Sequence, residues 1–227
     1  MRVMILAAGK GERLRPLTDT VPKAMVEVGG KPLIAWHLER LAAAGYGEAV
    51  VNVSHLAERI VEGLGDGRRY GMRITYSRER EPLETAGGIA KARALLGEAP
   101  FLLVNADIYC EFDFSALRRV SLGKRLAHLV LVPNPPHRSG GDFTLEDGTV
   151  GDGAGPRYTY AGIAVMSPAM VAGIAPEKKA PLAPLLYDAA ARQLVGGELY
   201  RGMWQDVGTR ERLAELEGHL ASRRTER

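Results

Sequence analysis

The first half of the chain alternates short apolar runs with longer segments in which apolar residues recur every three or four positions. The apolar runs have the length of buried strands and occupy residues 1–8, 48–54, 73–79 and 100–107. The segments between them predict helices over 32–45 and 55–65, and a third helix that follows a loop over 81–88. This repeated order of strand and helix predicts a parallel sheet with helices on both faces.

The second half is less regular and predicts a departure from a purely parallel sheet. Strands are expected over 127–134 and 157–167, with a hairpin between them that turns at Asp147–Gly148. The other expected elements are a short helix at 113–120, a helix at 181–193, an extended segment at 198–208, a closing helix at 209–222 capped by Thr209, and frayed residues at 223–227. The expected fold class is α/β: a Rossmann-like mixed, mainly parallel sheet with helices on both faces, in one domain over 1–227.

Composition and charge exclude several classes of protein. The chain has 227 residues, of which 46% are hydrophobic, so it can bury an ample core. Its net charge of +3 is scattered and its aromatic content is only 6%, which argues against a nucleic-acid interface. No apolar run approaches the roughly 18 residues of a membrane span. Cys110 is the single cysteine, which excludes an intrachain disulfide and a cysteine metal cluster and fits a reduced, cytoplasmic setting.

The candidate chemistry is concentrated in residues 5–23, ILAAGKGERLRPLTDTVPK. The first strand ends at Gly9, and Gly11 follows two residues later, so backbone N–H groups there can close on a ligand. The same loop carries three cations, Arg13, Arg15 and Lys23. A triphosphate needs both N–H donors and positive charge. Neither the G-x-G-x-x-G fingerprint of dinucleotide-binding proteins nor the P-loop pattern is present, so these two classes are not favoured.

The string L-A-A-G-x-G-x-R-L-x-P-L-T, with P-K ten residues after Arg13, resembles the signature of sugar-1-phosphate nucleotidyltransferases. E-T-A-G-G at 84–88 and W-Q-D-V-G-T at 204–209 resemble further motifs of that family, and the likeness covers essentially the whole chain. It implies a GT-A-like fold with a nucleotide-binding half at 1–110 and a sugar-binding half at 111–227. It also implies that a sugar 1-phosphate oxygen attacks the α-phosphorus of a nucleoside triphosphate and that pyrophosphate leaves.

The resemblance assigns the nucleotide to the first half of the chain. The implied nucleotide-binding residues are Leu6, Ala7, Ala8, Gly9, Gly11, Glu12, Arg13, Lys23, Glu81, Gly87 and Gly88. The base is expected between the end of the first strand and the 81–88 loop, and Arg13 is expected to hold the β- and γ-phosphates. Glu84 stands where the family usually has glycine, which leaves the base and its contacts open. The glycine pair after it could equally serve only to let the helix approach the sheet.

Two carboxylates, Asp107 and Asp206, are implied as ligands of Mg²⁺, which prefers oxygen donors and takes one or two carboxylates beside phosphates and water. Taken singly, each could be a turn former or the end of a strand. The implied catalytic residues are Arg13, Lys23 and Asp107. Lys23 is expected to neutralise phosphates near the reacting centre, whereas Arg15 has either a similar role or a structural one. No general base is expected because the nucleophile is already an anion. His37 lies on the apolar face of the helix predicted over 32–45 and is expected to be a packed core residue.

The implied sugar-binding residues are Asn105, Asp142, Tyr160, Gly162 and Arg201. Asn105 can both donate and accept hydrogen bonds, and Asp142 offers an acceptor pair unless it is only a hairpin-turn residue. Many larger relatives use a V-E-K-P segment for the sugar, but this chain has V-P-N-P-P-H instead. If the sugar carries a carboxylate, Arg201 or Arg138 is expected to meet it.

Within the family, the resemblance favours members that act on UTP and N-acetylmuramate 1-phosphate in peptidoglycan recycling. The alternatives are guanylyl transfer to mannose 1-phosphate and uridylyl or thymidylyl transfer to glucose 1-phosphate. A catalytically silent subunit that senses nucleotide sugars is the alternative from another class. The expected partners are therefore two small-molecule substrates, with no nucleic acid and no membrane. The chain lacks the extensions that usually dimerise relatives, which favours a monomer or a weak homo-oligomer.

Overall fold

The computed structural model describes residues 1–225 as thirteen strands, five α-helices and several 3₁₀ turns. The strands are β1 Val3–Leu6, β2 Glu27–Val28, β3 Lys31–Pro32, β4 Glu48–Val53, β5 Arg73–Arg78, β6 Phe101–Asn105, β7 Ile108–Cys110, β8 Ala127–Val132, β9 Phe143–Glu146, β10 Thr149–Gly151, β11 Arg157–Met166, β12 Val195–Leu199 and β13 Trp204–Asp206. The helices are α1 Leu33–Ala43, α2 Ala57–Leu64, α3 Glu84–Leu96, α4 Ala183–Ala191 and α5 Arg210–Thr225. None of the helices within this described range is long and apolar enough to cross a membrane.

Nine strands form one mixed sheet in the order β5-β4-β1-β6-β11-β8-β12-β10-β9. The first four are mutually parallel, as the strand–helix alternation predicts. The long strand β11 runs antiparallel to both β6 and β8, while β12 is parallel to β8. Leu6 pairs with Asn52 on one side and Asn105 on the other, so the loop after β1 leaves the sheet between these two strand ends. The α/β class with a mixed sheet is confirmed.

Helices cover both faces of the sheet, which explains why the first-half strands are apolar at nearly every position. Successive side chains of a strand point to opposite faces. Ile5 accordingly packs in one core cluster with Leu38 of α1, and Met4 packs in a second cluster with Ile89 of α3. The sheet is therefore packed between two hydrophobic cores, and the loops at its edge can hold functional residues outside both cores.

The loop expected over 81–88 is shorter than predicted, since α3 already begins at Glu84. The carbonyl of Ala180 accepts the N–H groups of Ala86 and Gly87, at 3.0 and 3.1 Å. This distant carbonyl satisfies two donors in the first turn, which have no partner within the helix. The glycine pair consequently lies inside the helix instead of before it.

The second half departs from expectation in small ways. Asp147 and Gly148 form the predicted hairpin turn, with φ of 46° and 73°, as a two-residue primed turn requires. The short helix expected at 113–120 is only a 3₁₀ turn over Ala116–Arg119. The closing helix α5 follows Thr209 as predicted. Fraying from residue 223 is wrong for 223–225, which continue this helix, and 226–227 lie outside the described residues.

Candidate active site

A cleft of three connected recesses opens beyond the carboxyl ends of β1 and β6. The first recess, of about 460 Å³, is lined by Gly9, Lys10, Gly11, Glu12, Arg13, Lys23, Asp107 and Gly208. A middle recess of about 200 Å³ shares Lys23 and Asp107 with the first. The third recess, of about 430 Å³, shares Glu84 and Asn105 with the middle one. Because neighbouring recesses share lining residues, the three lie side by side, and together they are called the groove.

The first recess gathers the glycines and cations of the sequence motif. Gly11 has φ of 66°, and a Cβ at this position would lie 2.9 Å from Thr18 Cγ2 and 3.1 Å from Lys23 Cβ. Only glycine therefore lets the loop close over the stem of Lys23. Arg13 is exposed on the wall of the recess, whereas Arg15 pairs with Asp19 at 3.2 Å in solvent and lines none of the three recesses.

Lys23 and Asp107 meet where the first and middle recesses join. Lys23 Nζ donates to Asp107 Oδ2 at 2.5 Å, and the two side chains are 12% and 39% exposed. The lysine is mostly buried beneath the glycine loop, while the carboxylate at the end of β6 still reaches solvent. The pair thus places a fixed cation and an accessible anion side by side at the centre of the groove.

The middle recess is lined by Leu6, Ala7, Ala8, Gly9, Lys23, Ala24, Asn52, Glu79, Pro82, Glu84, Thr85, Asn105, Ala106 and Asp107. Its back wall holds a buried polar chain that the sequence analysis missed. Asn52 accepts the N–H of Ala7 at 2.8 Å and donates to Glu79 Oε1 at 2.7 Å. Glu79 Oε2 accepts the N–H of Leu83 at 2.9 Å, and burial raises the pKa of the Glu79 carboxyl above its usual range. Asn52 is the next-to-last residue of β4 and Glu79 follows β5, so both lie at carboxyl ends of strands, as Asp107 does after β6.

Three residues predicted to bind the nucleotide do not line the groove. Glu81 is exposed in solvent. A Cβ at Gly88 would lie 2.8 Å from Glu79 Oε1, so this glycine makes room for the buried carboxylate. A Cβ at Gly87 would lie 3.2 Å from the backbone N of Ala180 and would collide with the carbonyl oxygen of Lys178. Both glycines thus lie where a side chain would not fit, Gly88 against the end of the sheet and Gly87 against residues 178–180.

Polar groups of the third recess converge on Asp142, which is only 6% exposed. Its Oδ1 accepts from Arg138 Nη2 at 2.7 Å, and its Oδ2 accepts the N–H of Tyr160 at 2.8 Å. The hydroxyl of Tyr160 is buried without a hydrogen-bond partner among the described residues, and burial raises the pKa of this phenol. The opposite wall is apolar and consists of Phe143, Pro181, Leu182, Ala183, Leu186 and Tyr187. The recess suits a ligand with both polar and apolar faces.

Gly162 supports a wall of the third recess, whereas Arg201 lies outside it. Gly162 sits at an irregularity of β11 with φ of 77°, and a Cβ there would lie 2.7 Å from Asn105 Nδ2. It therefore makes space for Asn105, which lines both the middle and the third recess. Arg201 is exposed and lines none of the three recesses. The arginine that the fold brings to the third recess is Arg138.

Asp107 and Asp206 come together through a short antiparallel pair of strands, β7 and β13. Asp206 stands opposite Ile108, and the N–H of Val207 donates to the carbonyl of Asp107 at 2.8 Å. Asp206 Oδ2 accepts from Arg212 Nη1 at 2.6 Å. Sequence reasoning missed Arg212, since nothing local distinguishes it from the other charges of α5.

The chemistry of these two carboxylates fits a divalent cation. Asp206 Oδ1 is buried and accepts no hydrogen bond from the described residues, and its near neighbour is His137 Nε2 at 3.0 Å. The described range contains no group of three or more His, Cys, Asp or Glu side chains arranged around a common metal position. Two carboxylates suffice for Mg²⁺ when phosphate and water complete its shell.

His37 is a packed core residue, as expected, and supports the loop that carries Asp107. Burial lowers the pKa of its imidazole to about 4, so the ring is neutral at physiological pH. Its Nε2 lies 2.7 Å from the carbonyl oxygen of Ile108 and therefore carries the donated proton. The ring anchors the backbone one residue beyond the carboxylate.

Comparison with known proteins agrees with this geometry. The nucleotidyl transferase family profile matches residues 2–141. The N-acetylmuramate alpha-1-phosphate uridylyltransferase of Neisseria meningitidis is 48% identical over 224 residues, covering 96% of this chain and 97% of that protein. The protein of the same name from Caulobacter vibrioides is 36% identical, covering 96% of each chain.

A solved structure supports the fold independently of sequence. A Bacillus anthracis protein described as a glucose-1-phosphate thymidylyltransferase, solved in complex with sucrose, superposes with a TM-score of 0.86 at 18% identity. The match covers 97% of this chain and 95% of that one. Together with the full-length relatives, the profile match over the glycine loop and the strands that carry Asp107 places this chain in the nucleotidyl transferase family, as a sugar-1-phosphate nucleotidyltransferase.

Proposed function

We propose that the protein transfers a uridylyl group from UTP to N-acetylmuramate 1-phosphate, with Mg²⁺, and serves peptidoglycan recycling in the cytoplasm. The choice of substrates is supported by the two full-length relatives, whose names give this activity. The observation that carries the proposal is the order of the three adjoining recesses. The recess with the glycine loop and its cations lies next to a smaller recess, and that one lies next to a recess with polar and apolar walls. Lys23 and Asp107 line both of the first two recesses.

The three recesses correspond to the parts of the two substrates. The triphosphate binds at the glycine loop, with Gly9, Gly11 and Glu12 around it and Arg13 on the β- and γ-phosphates. The base enters the middle recess along Leu6, Ala7 and Ala8. Glu79 and Asn52 fix the shape of that slot, because their hydrogen bonds tie β1, β4 and the start of α3 together.

The reaction needs charge neutralisation and alignment more than proton transfer. An anionic oxygen of the sugar phosphate forms a bond to the α-phosphorus, the bond from that phosphorus to the bridging oxygen breaks, and pyrophosphate leaves with the electron pair. No proton moves in this step, which fits the lack of a histidine dyad in the described groove. Lys23 stabilises charge at the centre and Arg13 stabilises the leaving pyrophosphate.

Asp107 and Asp206 are the residues that would hold Mg²⁺. When bound, the ion supplies positive charge between two mutually repelling phosphates. Asp206 ends β13 and Asp107 lies in the turn just before β7, so the β7–β13 ladder holds the backbones of these two residues next to each other.

The sugar occupies the third recess. Asn105 and Asp142 offer acceptors to hydroxyl or amide groups, and the unpartnered hydroxyl of Tyr160 offers a donor. Arg138 is the residue that meets the lactyl carboxylate of the muramic sugar, because it lines this recess and Arg201 does not. The apolar wall opposite suits the methyl groups of the acetyl and lactyl substituents.

The test is pyrophosphate release from UTP with N-acetylmuramate 1-phosphate, beside GTP with mannose 1-phosphate, with Asp107→Ala as the inactive control. Turnover with the first pair alone is expected. Turnover with the second pair alone would overturn the choice of base and sugar while keeping the reaction. Nucleotide binding without turnover of either pair would favour the silent, sensing subunit.

Arginine substitutions test the sugar assignment separately. Arg138→Ala should raise KM for N-acetylmuramate 1-phosphate about tenfold and leave KM for N-acetylglucosamine 1-phosphate, which lacks the lactyl group, nearly unchanged. Arg201→Ala is the matched control and should change neither value. An equal change for both sugars in Arg138→Ala would contradict this assignment.

A further inference from the structure

A buried arginine outside the residues assigned so far holds the carboxylate of Asp206. Arg212 lies in the first turn of α5 and is only 8% exposed. Its Nη1 donates to Asp206 Oδ2 at 2.6 Å and also lies 2.5 Å from His137 Nε2. A buried charge is costly unless it is paired, so the cation stays here because Asp206 is anionic.

The second oxygen of Asp206 lies beside His137. Arg212 Nη1 and Asp206 Oδ1 are 2.5 and 3.0 Å from His137 Nε2. Asp206 Oδ1 is buried and forms no hydrogen bond within the described part of the chain. Arg212 therefore satisfies one oxygen of the carboxylate, and the other oxygen has only the contact with His137.

The other end of the Arg212 guanidinium points toward the first recess. A Cβ at Gly208 would collide with Arg212 Nη2 and would lie 2.9 Å from Arg13 Nη2. Two guanidinium groups therefore converge on one backbone position, and Gly208 lines the same recess as Lys23 and Asp107. Cations gathered this closely repel each other unless an anion lies between them.

We propose that Arg212 is a positioning residue that covers Asp206 while the groove lacks nucleotide and then turns its charge to the leaving pyrophosphate, beside Arg13. A divalent cation bound to Asp206 would repel the neighbouring guanidinium and weaken its ion pair, and the released guanidinium would face the recess assigned to the β- and γ-phosphates. Metal and pyrophosphate therefore bind cooperatively, and the metal ligand is shielded when no substrate is present. The identification of the anion as pyrophosphate rests on the proposed function.

Arg212 and a divalent cation compete for one carboxylate, so removal of the arginine charge should improve metal binding to the substrate-free protein. Mn²⁺ affinity is measured by calorimetry without nucleotide for the wild type, Arg212→Gln and the exposed neighbour Arg210→Gln. Arg212→Gln should bind Mn²⁺ roughly tenfold more tightly, and Arg210→Gln should match the wild type. If Arg212 had only a structural role, its replacement would not increase the affinity for Mn²⁺. Equal affinities in all three proteins, or no measurable binding to Arg212→Gln, would overturn the proposal.

Pyrophosphate binding in the presence of EDTA tests the second half of the proposal, and it needs no metal. Asp206→Asn frees Arg212 and should tighten pyrophosphate binding several-fold, and the further change Arg212→Gln should cancel this gain. The measurement on Asp206→Asn remains informative even if Arg212→Gln alone does not fold. Unchanged pyrophosphate affinity in Asp206→Asn would overturn the proposal. Failure of the proposed function has a different signature, since the wild type would then turn over no combination of nucleotide and sugar phosphate.

Discussion

Lys23 and Asp107 are 84 residues apart in the chain and form a 2.5 Å ion pair at the junction of two recesses. The lysine leaves a 3₁₀ turn beneath the glycine loop, and the aspartate follows β6 at the edge of the sheet. Their contact joins the glycine-loop side of the groove to the turn before β7, the strand that pairs with β13 and its terminal Asp206.

Loss of the Lys23 charge should impair catalysis more than folding. Lys23→Met keeps most of the stem and removes the cation, so kcat/KM for nucleotidyl transfer should fall about 100-fold or more. Steady-state pyrophosphate release measures this change. Arg15→Met is the matched control, since Arg15 pairs with Asp19 in solvent, and it should stay within about threefold of the wild type. Retention of most activity in Lys23→Met would contradict the role given to Lys23.

Gly162→Ala should weaken sugar binding without affecting the nucleotide. The new Cβ would press on Asn105 Nδ2 and Cγ, at 2.7 and 2.9 Å, and push that side chain from the wall shared by the middle and third recesses. We expect KM for the sugar phosphate to rise about tenfold while KM for the triphosphate stays nearly constant.

A control separates backbone strain from this displacement. Gly123 also has positive φ, 56°, but nothing lies within 4 Å of its Cβ position. Gly123→Ala should lower the free energy of unfolding by about 1 kcal/mol and leave both KM values unchanged. If Gly123→Ala raised the sugar KM to the same extent, strain alone would explain the effect.

Glu84→Gly should stabilise the protein. Glu84 has φ of 61°, a left-handed conformation that glycine adopts without cost, and its ion pair with Lys179 is exposed at 3.5 Å. Relief of strain outweighs the loss of a weak surface pair, so the free energy of unfolding should rise by roughly 0.5–1 kcal/mol. Chemical denaturation measures it, with Lys179→Ala as the control for the ion pair. A destabilised Glu84→Gly would show that the glutamate side chain makes a larger contribution than its contacts indicate.

His37 should make the fold sensitive to mild acid. Burial lowers the pKa of this imidazole to about 4 from 6.5, so between these values the unfolded chain binds a proton that the folded chain does not. The stability that His37 provides is complete above about pH 6.5 and is lost as the pH falls toward 4, by about 3 kcal/mol in total. Urea denaturation across this window should show a shallower pH dependence in His37→Gln. If the free energy of unfolding fell equally with pH in both proteins, the lowered pKa of His37 would be contradicted.

Sequence patterns predicted the parts of the site that are local in the chain. The glycine loop and Lys23 share one motif, and Asp107 ends an apolar strand, so the rule that ligands collect at strand ends brought them together. The same rule points to Asn52 and Glu79, which lie outside the family motifs that mark the other positions.

The remaining site residues depend on packing between distant segments. Arg138 and Arg201 were equivalent in sequence, and only the path of the loop before β9 brings the first to the third recess. Arg212 reaches Asp206 because α5 starts directly after β13, a relation that helical periodicity does not encode. The start of α3 was misplaced for a similar reason, because its first N–H groups are satisfied by Ala180, almost a hundred residues away.

The pairing of β7 with β13 has a consequence for truncated forms of the chain. Every strand of the nine-stranded sheet lies between Val3 and Leu199, whereas β13 and α5 come after it. A product that ends before Trp204 would keep all nine strands of that sheet but would lose the antiparallel partner of β7 and, with it, Asp206. We therefore expect such a product to lack transferase activity.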